Sequence, residues 1–217
     1  MQYDVASTIG AVTREVRQLE HEGKPAQAVI ASRTYPAGLE DLWDAITNIE
    51  RIPRWFAPVS GELKLGGRYQ IEGNASGTVT ACDPPNSFRL TWEFADNTSW
   101  VRVKLTAIGG ESTHLELEHL AHIDPEWEKK YGPGATGVGW DLGLLGLGQH
   151  IETGASLPPE ASTEWLGTEN YRDMVRASSE AWQIADVAAG KSPEEAATAA
   201  ANTAAFYTGE TPPEGGA

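Results

Sequence analysis

Phe88-Arg89-Leu90-Thr91-Trp92-Glu93-Phe94-Ala95 alternates apolar and polar residues without a break, so one face of a strand carries three aromatic rings. The next stretch repeats the pattern, with Val101, Val103 and Leu105 set against Arg102, Lys104 and Thr106. Gly109-Gly110 supplies a turn, and Leu115, Leu117 and His119 then alternate with Glu116 and Glu118. Three consecutive strands with one apolar face predict an antiparallel meander that is wet on its other side.

Outward from this meander the N-terminal side adds short strands. Thr78–Cys82 reads as a strand stopped by Asp83-Pro84-Pro85-Asn86, and Arg68–Glu72 as another that follows the Gly66-Gly67 turn. Further back, Leu39–Thr47 and Asn48–Trp55 read as two short helices, and Gln27–Tyr35 has β character. Val5, Ile9, Val12, Val16 and Leu19 recur at helical spacing and predict an N-terminal helix within residues 1–24, ended by Gly23-Lys24-Pro25. Its narrow apolar stripe would dock on the parent domain or form a dimer seam.

On the C-terminal side, a polar loop over Ile123–Gly134 leads to a long helix near Ala135–Glu152. Residues 156–217 read as an αα-hairpin, with arms near Trp165–Ala189 and Ala196–Tyr207 and a frayed tail from Thr211. Ser192-Pro193-Glu194-Glu195 forms a capping box at the second arm. The long helix is apolar on two sides. Trp140, Leu144, Leu147 and Ile151 form one stripe, and Val138, Leu142 and Leu145 lie nearly opposite. The second stripe calls for a cover, from the N-terminal segment or the hairpin, within the chain or from a partner subunit.

Composition narrows the function classes. Against 16 Lys and Arg stand 31 Asp and Glu, a formal charge of −15 that repels phosphate backbones, so no nucleic-acid partner is expected. No apolar run approaches the roughly 20 residues of a membrane span, so no membrane partner is expected either. The single cysteine, Cys82, allows no internal disulfide. The N-terminal residues lack a basic segment followed by an apolar one, which predicts a cytoplasmic protein.

Local patterns from about Ala28 to Ile151 match one family in order. Leu42-Trp43-Asp44-Ala45-Ile46-Thr47 resembles its first helix, and Trp55-Phe56 the aromatic pair that follows. Gly66-Gly67-Arg68-Tyr69, then Gly77-Thr78-Val79, Asp83-Pro84-Pro85 and Leu90-Thr91-Trp92, are similar to its turn and strand motifs. Leu115-Glu116-Leu117-Glu118-His119 and Gly139-Trp140 with Leu144 and Leu147 complete the set. The chain thus resembles the bacterial family related to the C-terminal domain of the activator of the ninety-kilodalton heat-shock-protein ATPase, within the SRPBCC, START-like superfamily. That resemblance implies an α+β helix-grip fold, as in birch-pollen allergens, with a curved antiparallel sheet around a long C-terminal helix and a cavity between them. The helix-grip domain would occupy residues 25–155, flanked by the N-terminal helix (1–24) and the C-terminal hairpin (156–217).

The cavity is expected to be lined by Trp43, Phe56, Tyr69, Phe88, Leu90, Trp92, Phe94, His119, Trp140 and Leu144. It suits a small hydrophobic molecule, bound by a monomer or homodimer. His119 shares strand parity with Leu115 and Leu117, so it points inward, where it is either a packed polar residue or a catalytic acid–base group. The alternatives are an enzyme of the polyketide cyclase or dehydratase type seen elsewhere in the superfamily, and a protein-interaction module that contacts a chaperone. His114 and His122 have the opposite parity to His119, so no metal site is expected. The absence of G-x-S-x-G, Walker and dinucleotide motifs leaves no cofactor expected either.

Overall fold

The alternating stretch does fold as a meander in the computed structural model, which describes residues 2–156 and 159–211. Strands β6 (Ser87–Phe94), β7 (Asn97–Ala107) and β8 (Thr113–His122) pair antiparallel in sequence order. Preceding them are β1 (Thr13–His21), β2 (Lys24–Tyr35), β3 (Val59–Gly61), β4 (Arg68–Ile71) and β5 (Ser76–Asp83). The sheet order is β1-β2-β8-β7-β6-β5-β4-β3. Helices are α1 (Val5–Gly10), α2 (Leu39–Thr47), α3 (Pro125–Tyr131), α4 (Gly134–Thr153), α5 (Pro159–Leu166), α6 (Glu169–Ala188) and α7 (Pro193–Thr208). This is the α+β helix-grip architecture, with a curved antiparallel sheet and a long C-terminal helix.

The N-terminal reading needs correction. Helix α1 stops at Gly10, and the rest of the expected helix is strand β1. Val12 and Val16, at 8% and 6% exposure, are buried on one face. A spacing of four residues satisfies a strand's period of two as well as a helix's period of 3.6. Glu22 and Gly23 both take positive φ, at 51° and 75°, which makes a two-residue hairpin turn from what read as a helix stop. Three smaller corrections follow. The second short helix shrinks to a 3-10 turn at Ile52–Arg54, the loop over 123–134 contains α3, and the first hairpin arm is interrupted at Gly167-Thr168. The tail expected to fray lies beyond Thr211, outside the described residues.

The chain divides into two compact units. One takes its described residues from 1–31, 122–142 and 158–217, the other from 32–121 and 143–157. In the first unit the hairpin packs on the N-terminal half of α4. A Cβ on Gly137 would strike the Trp182 ring, one on Gly134 would lie 3.3 Å from Thr203, and one on Gly139 would lie 2.9 Å from the Tyr207 hydroxyl. These three α4 glycines thus trade helix propensity for close approach of the hairpin. Val138 is fully buried, and the glycines on either side of it meet the hairpin of the same chain.

Between these elements lies Asp141. Arg14 Nε donates to its Oδ2 at 2.9 Å, Trp182 Nε1 at 3.1 Å, and the Ser178 hydroxyl donates to the same oxygen. Arg14 Nη1 also donates to the carbonyls of Ile9 (3.0 Å) and Val12 (2.9 Å), which ties the end of α1 to the network. Burial pushes the Asp141 carboxyl above the usual range, against the pull of Arg14, Ser178 and Trp182.

The second unit holds β3–β8, α2 and the C-terminal half of α4. Its core is aliphatic: Leu42, Val101, Val103, Leu105, Leu115, Leu117, Leu144 and Leu147 are all buried. Tyr35 Oη donates to the Leu144 carbonyl at 3.0 Å, and Arg33 Nη1 to the same oxygen at 3.2 Å. These two bonds hold the middle of α4 to the end of β2.

Candidate functional site

Register aligns the apolar faces of the meander into rows. Phe88 stands opposite Val103, which stands opposite Leu117; in the next row come Leu90, Val101 and His119; then Trp92 and Ser99. Exposure grades across these rows. Val101, Val103 and Leu117 are at most 5% exposed, whereas Phe88, Leu90 and Trp92 are only half-buried. Strand β5 continues the face. Val79 pairs with Leu90, and a bulge between Val79 and Ala81 then places Cys82 opposite Phe88. That bulge turns Cys82, half-buried and free, onto the aromatic face.

Gly77 pairs with Tyr69 on β4, and a side chain there would collide with the Thr91 carbonyl. Its absence lets the Tyr69 hydroxyl donate to that carbonyl at 2.6 Å. Burial pushes the Tyr69 phenol well above its usual range, so it stays protonated.

The helices of this unit add further rings. Trp43 on α2 meets Phe88 edge-on, with centroids 6.0 Å apart. Trp55 Nε1 donates to the Ala45 carbonyl at 3.0 Å, which fixes the chain from which Phe56 projects. A Cβ on Gly143 would lie 3.6 Å from the Phe56 ring, in ordinary contact. Trp43 and Phe56, like Phe88 and Trp92, are half-buried.

His119 is the buried polar residue of this face, at 8% exposure. Its Nε2 lies 2.8 Å from Ser99 Oγ, and its ring centroid 5.8 Å from that of Trp92. The Ser99 hydroxyl donates to the Trp92 carbonyl at 3.2 Å, an arrangement in which His119 carries its proton on Nε2 and donates to Ser99. Burial lowers the His119 pKa to about 4. The ring is therefore neutral at physiological pH.

Of the expected lining residues, Trp43 and Phe88 form one contact pair and Trp92 and His119 another. Leu90 shares the row of His119, while Tyr69 and Leu144 are buried in the same unit. Phe94 does not belong with them. It is 55% exposed, because it is the last residue before the two-residue turn Ala95-Asp96 and projects at the strand's end. Trp140 is half-buried and lies in the part of α4 that belongs to the first unit. His114 bonds Thr34 Oγ1 at 3.2 Å and His122 the His21 carbonyl at 3.1 Å. Among the described residues no three His, Cys, Asp or Glu converge as metal ligands would. The sequence reading passed over Ser99, whose parity with Val101 and Val103 was the available signal, and over Gly77 as the residue that admits Tyr69.

The family model for activator of Hsp90 ATPase homolog 1-like protein matches residues 36–152, more than half of the 217 residues. The chain belongs to this family. Among solved structures it is similar to CalU16 from Micromonospora echinospora, at 28% identity. The crystal structure of that protein is matched over 83% of this chain and 99% of its own, with a TM-score of 0.64. Its solution structure gives a TM-score of 0.67 over 83% and 97%. Protein MLL2253 from Mesorhizobium loti shares the fold at 24% identity, over 58% of this chain and 96% of its own, with a TM-score of 0.52. No curated protein matches. Among the described residues no helix is long and apolar enough to cross a membrane.

Proposed function

We propose that this family member binds a small hydrophobic ligand on the aromatic face of β6–β8. Trp43, Phe56, Phe88, Leu90 and Trp92 provide the contact surface, and His119 with Ser99 provides one polar anchor. The supporting observation is the gradient of burial: the aliphatic residues of β7 and β8 are closed off, while the larger rings beside them keep half-buried surface. Removing such surface from water contributes about 25 cal/mol per Å² before the costs of association. The role suits a soluble protein of the cytoplasm.

His119 acts in this reading as a neutral hydrogen-bonding group. A histidine with a pKa of about 4 is a weak base at neutral pH, which weighs against a cyclase or dehydratase acting through it. Native mass spectrometry of freshly purified protein, together with titration of the uncharged probe Nile red, tests the proposal. Saturable probe binding that drops about tenfold or more in Trp92→Ala and less in His119→Gln is expected. Probe binding that is non-saturable or indifferent to Trp92→Ala sinks it. Turnover of a bound molecule that is lost in His119→Gln would favour the enzyme instead.

A further inference from the structure

The first unit displays an aromatic cluster with no part in the face described above. Trp127 on α3 and Phe206 on α7 are 49% and 56% exposed. With Tyr131 they form a contiguous set, the ring centroids lying 4.6 Å (Trp127–Tyr131), 5.5 Å (Tyr131–Phe206) and 6.3 Å (Trp127–Phe206) apart. Among the described residues, Trp127 is the one tryptophan of the eight that stands exposed. The platform is held firmly. Asn202 Nδ2 donates to the Lys130 carbonyl at 2.9 Å, and Thr203 Oγ1 to the Tyr131 carbonyl at 2.7 Å. The N-cap carboxylate of Asp124 accepts from the amides of Glu126 and Trp127 at the other end of α3.

The charges beside this platform select its partner. Helix α3 runs Glu126, Trp127, Glu128, Lys129, Lys130, acidic in its first turn and basic in its last. Glu126 and Lys130 are both exposed and stand four residues apart, so they share one flank of the helix next to Trp127. Two such helices laid antiparallel about a two-fold axis place Glu126 of each copy opposite Lys130 of the other, with the Trp127 and Phe206 rings between. A strongly acidic or strongly basic partner would match only half of this flank. The whole chain carries −15, so copies of it repel at long range, and association needs a locally self-complementary patch such as this one.

We infer that the Trp127–Tyr131–Phe206 surface is an isologous contact with a second copy of this chain. A contact of a few rings and two charge pairs is expected to be weak, with a dissociation constant of about 100 µM. Sedimentation velocity of the full chain from about 10 µM to about 1 mM tests it. The apparent mass should climb from 23.3 kDa toward twice that value. Glu126→Lys and Lys130→Glu should each weaken association about tenfold, because each sets like charges against one another across the axis. The double variant, which reverses both charges, should restore it to within about twofold, and Trp127→Ser should abolish it. Circular dichroism should show that all four variants remain folded. A wild-type chain that stays monomeric throughout, or a double variant no better than the singles, overturns the inference.

Discussion

The two compact units bury polar groups in opposite ways. In the first, Asp141 is surrounded: a guanidinium, an indole and a hydroxyl all donate to one of its oxygens. In the second, the aromatic face buries a single histidine with a serine hydroxyl as its hydrogen-bond partner, amid rings that keep surface of their own. A carboxylate so enclosed fixes three segments of chain in one arrangement and leaves little freedom for function. A neutral imidazole bonded to a serine hydroxyl beside half-buried rings fixes fewer segments of chain. The first unit reads as a brace, and the second carries the face on which we propose binding.

Arg14→Ala is the harshest test of that contrast. It leaves the Asp141 carboxylate buried without its guanidinium and frees the Ile9 and Val12 carbonyls. Breaking a buried pair from one side costs about 3–5 kcal/mol. Urea melts of the variant should show a loss of that size. A loss under about 1 kcal/mol would mean that Arg14 is dispensable and that hairpin packing alone braces this unit.

The units should also differ in their response to pH. His119 has a folded pKa of about 4, below the ordinary 6.5, so the unfolded chain binds the extra proton between those values. The stability it contributes is full above pH 6.5 and is lost as pH falls toward 4, by up to about 3 kcal/mol. Asp186 in the first unit has the opposite sign. It is 2% exposed with its Oδ2 lacking a hydrogen-bond partner, and burial, then the charge of Glu128, raise its pKa to about 6, with Glu195 adding to the rise and Lys191 opposing it. Here the folded state holds the proton more tightly, so stability is present below pH 3.8 and is lost as pH rises through about 6. Melts between pH 4 and 8 should therefore show His119→Gln losing less on acidification than wild type, and Asp186→Asn losing less on alkalinisation. Curves parallel to wild type in both variants would erase the electrostatic difference.

The same contrast explains what was legible in the sequence. The second unit is a set of one-faced strands, and Phe88, Leu90, Trp92, Val101, Val103, Leu115 and Leu117 announce it by strict alternation, which also sets the direction of His119. The first unit is joined from distant pieces, and its determinants look unremarkable one at a time. Asp141 is the only Asp, Glu, Lys or Arg between Gly134 and His150, which marks it as a charge in need of a buried partner. Nothing in the spacing says that the partners are Arg14, Ser178 and Trp182, because such contacts depend on tertiary packing. Val12 and Val16 fit two periodicities at once, and only the Glu22-Gly23 turn separates them. In the second unit, the strand pattern said nothing of the turn that carries Phe94 into solvent, or of the bulge that swings Cys82 onto the aromatic face.

The smallest effect comes from the turn that misled the helical reading. Glu22 holds φ at 51°, a left-handed conformation that costs a side chain with a Cβ roughly 1–2 kcal/mol. Asparagine tolerates that region better, and Asn-Gly is the favoured pair for a two-residue hairpin of this geometry. Glu22→Asn also removes one negative charge from a chain with an excess of them. It gives up only the long 3.9 Å contact with His21, whose glutamate side is 65% exposed. The variant should stabilise the chain by about 0.5–1 kcal/mol. Because the β1–β2 turn lies apart from the Asp141 network in sequence and shares no partner with it, the gain should add to the Arg14→Ala loss within about 0.5 kcal/mol. A double variant that departs from additivity by more than about 1 kcal/mol would show that the hairpin and the buried network act as one cooperative element.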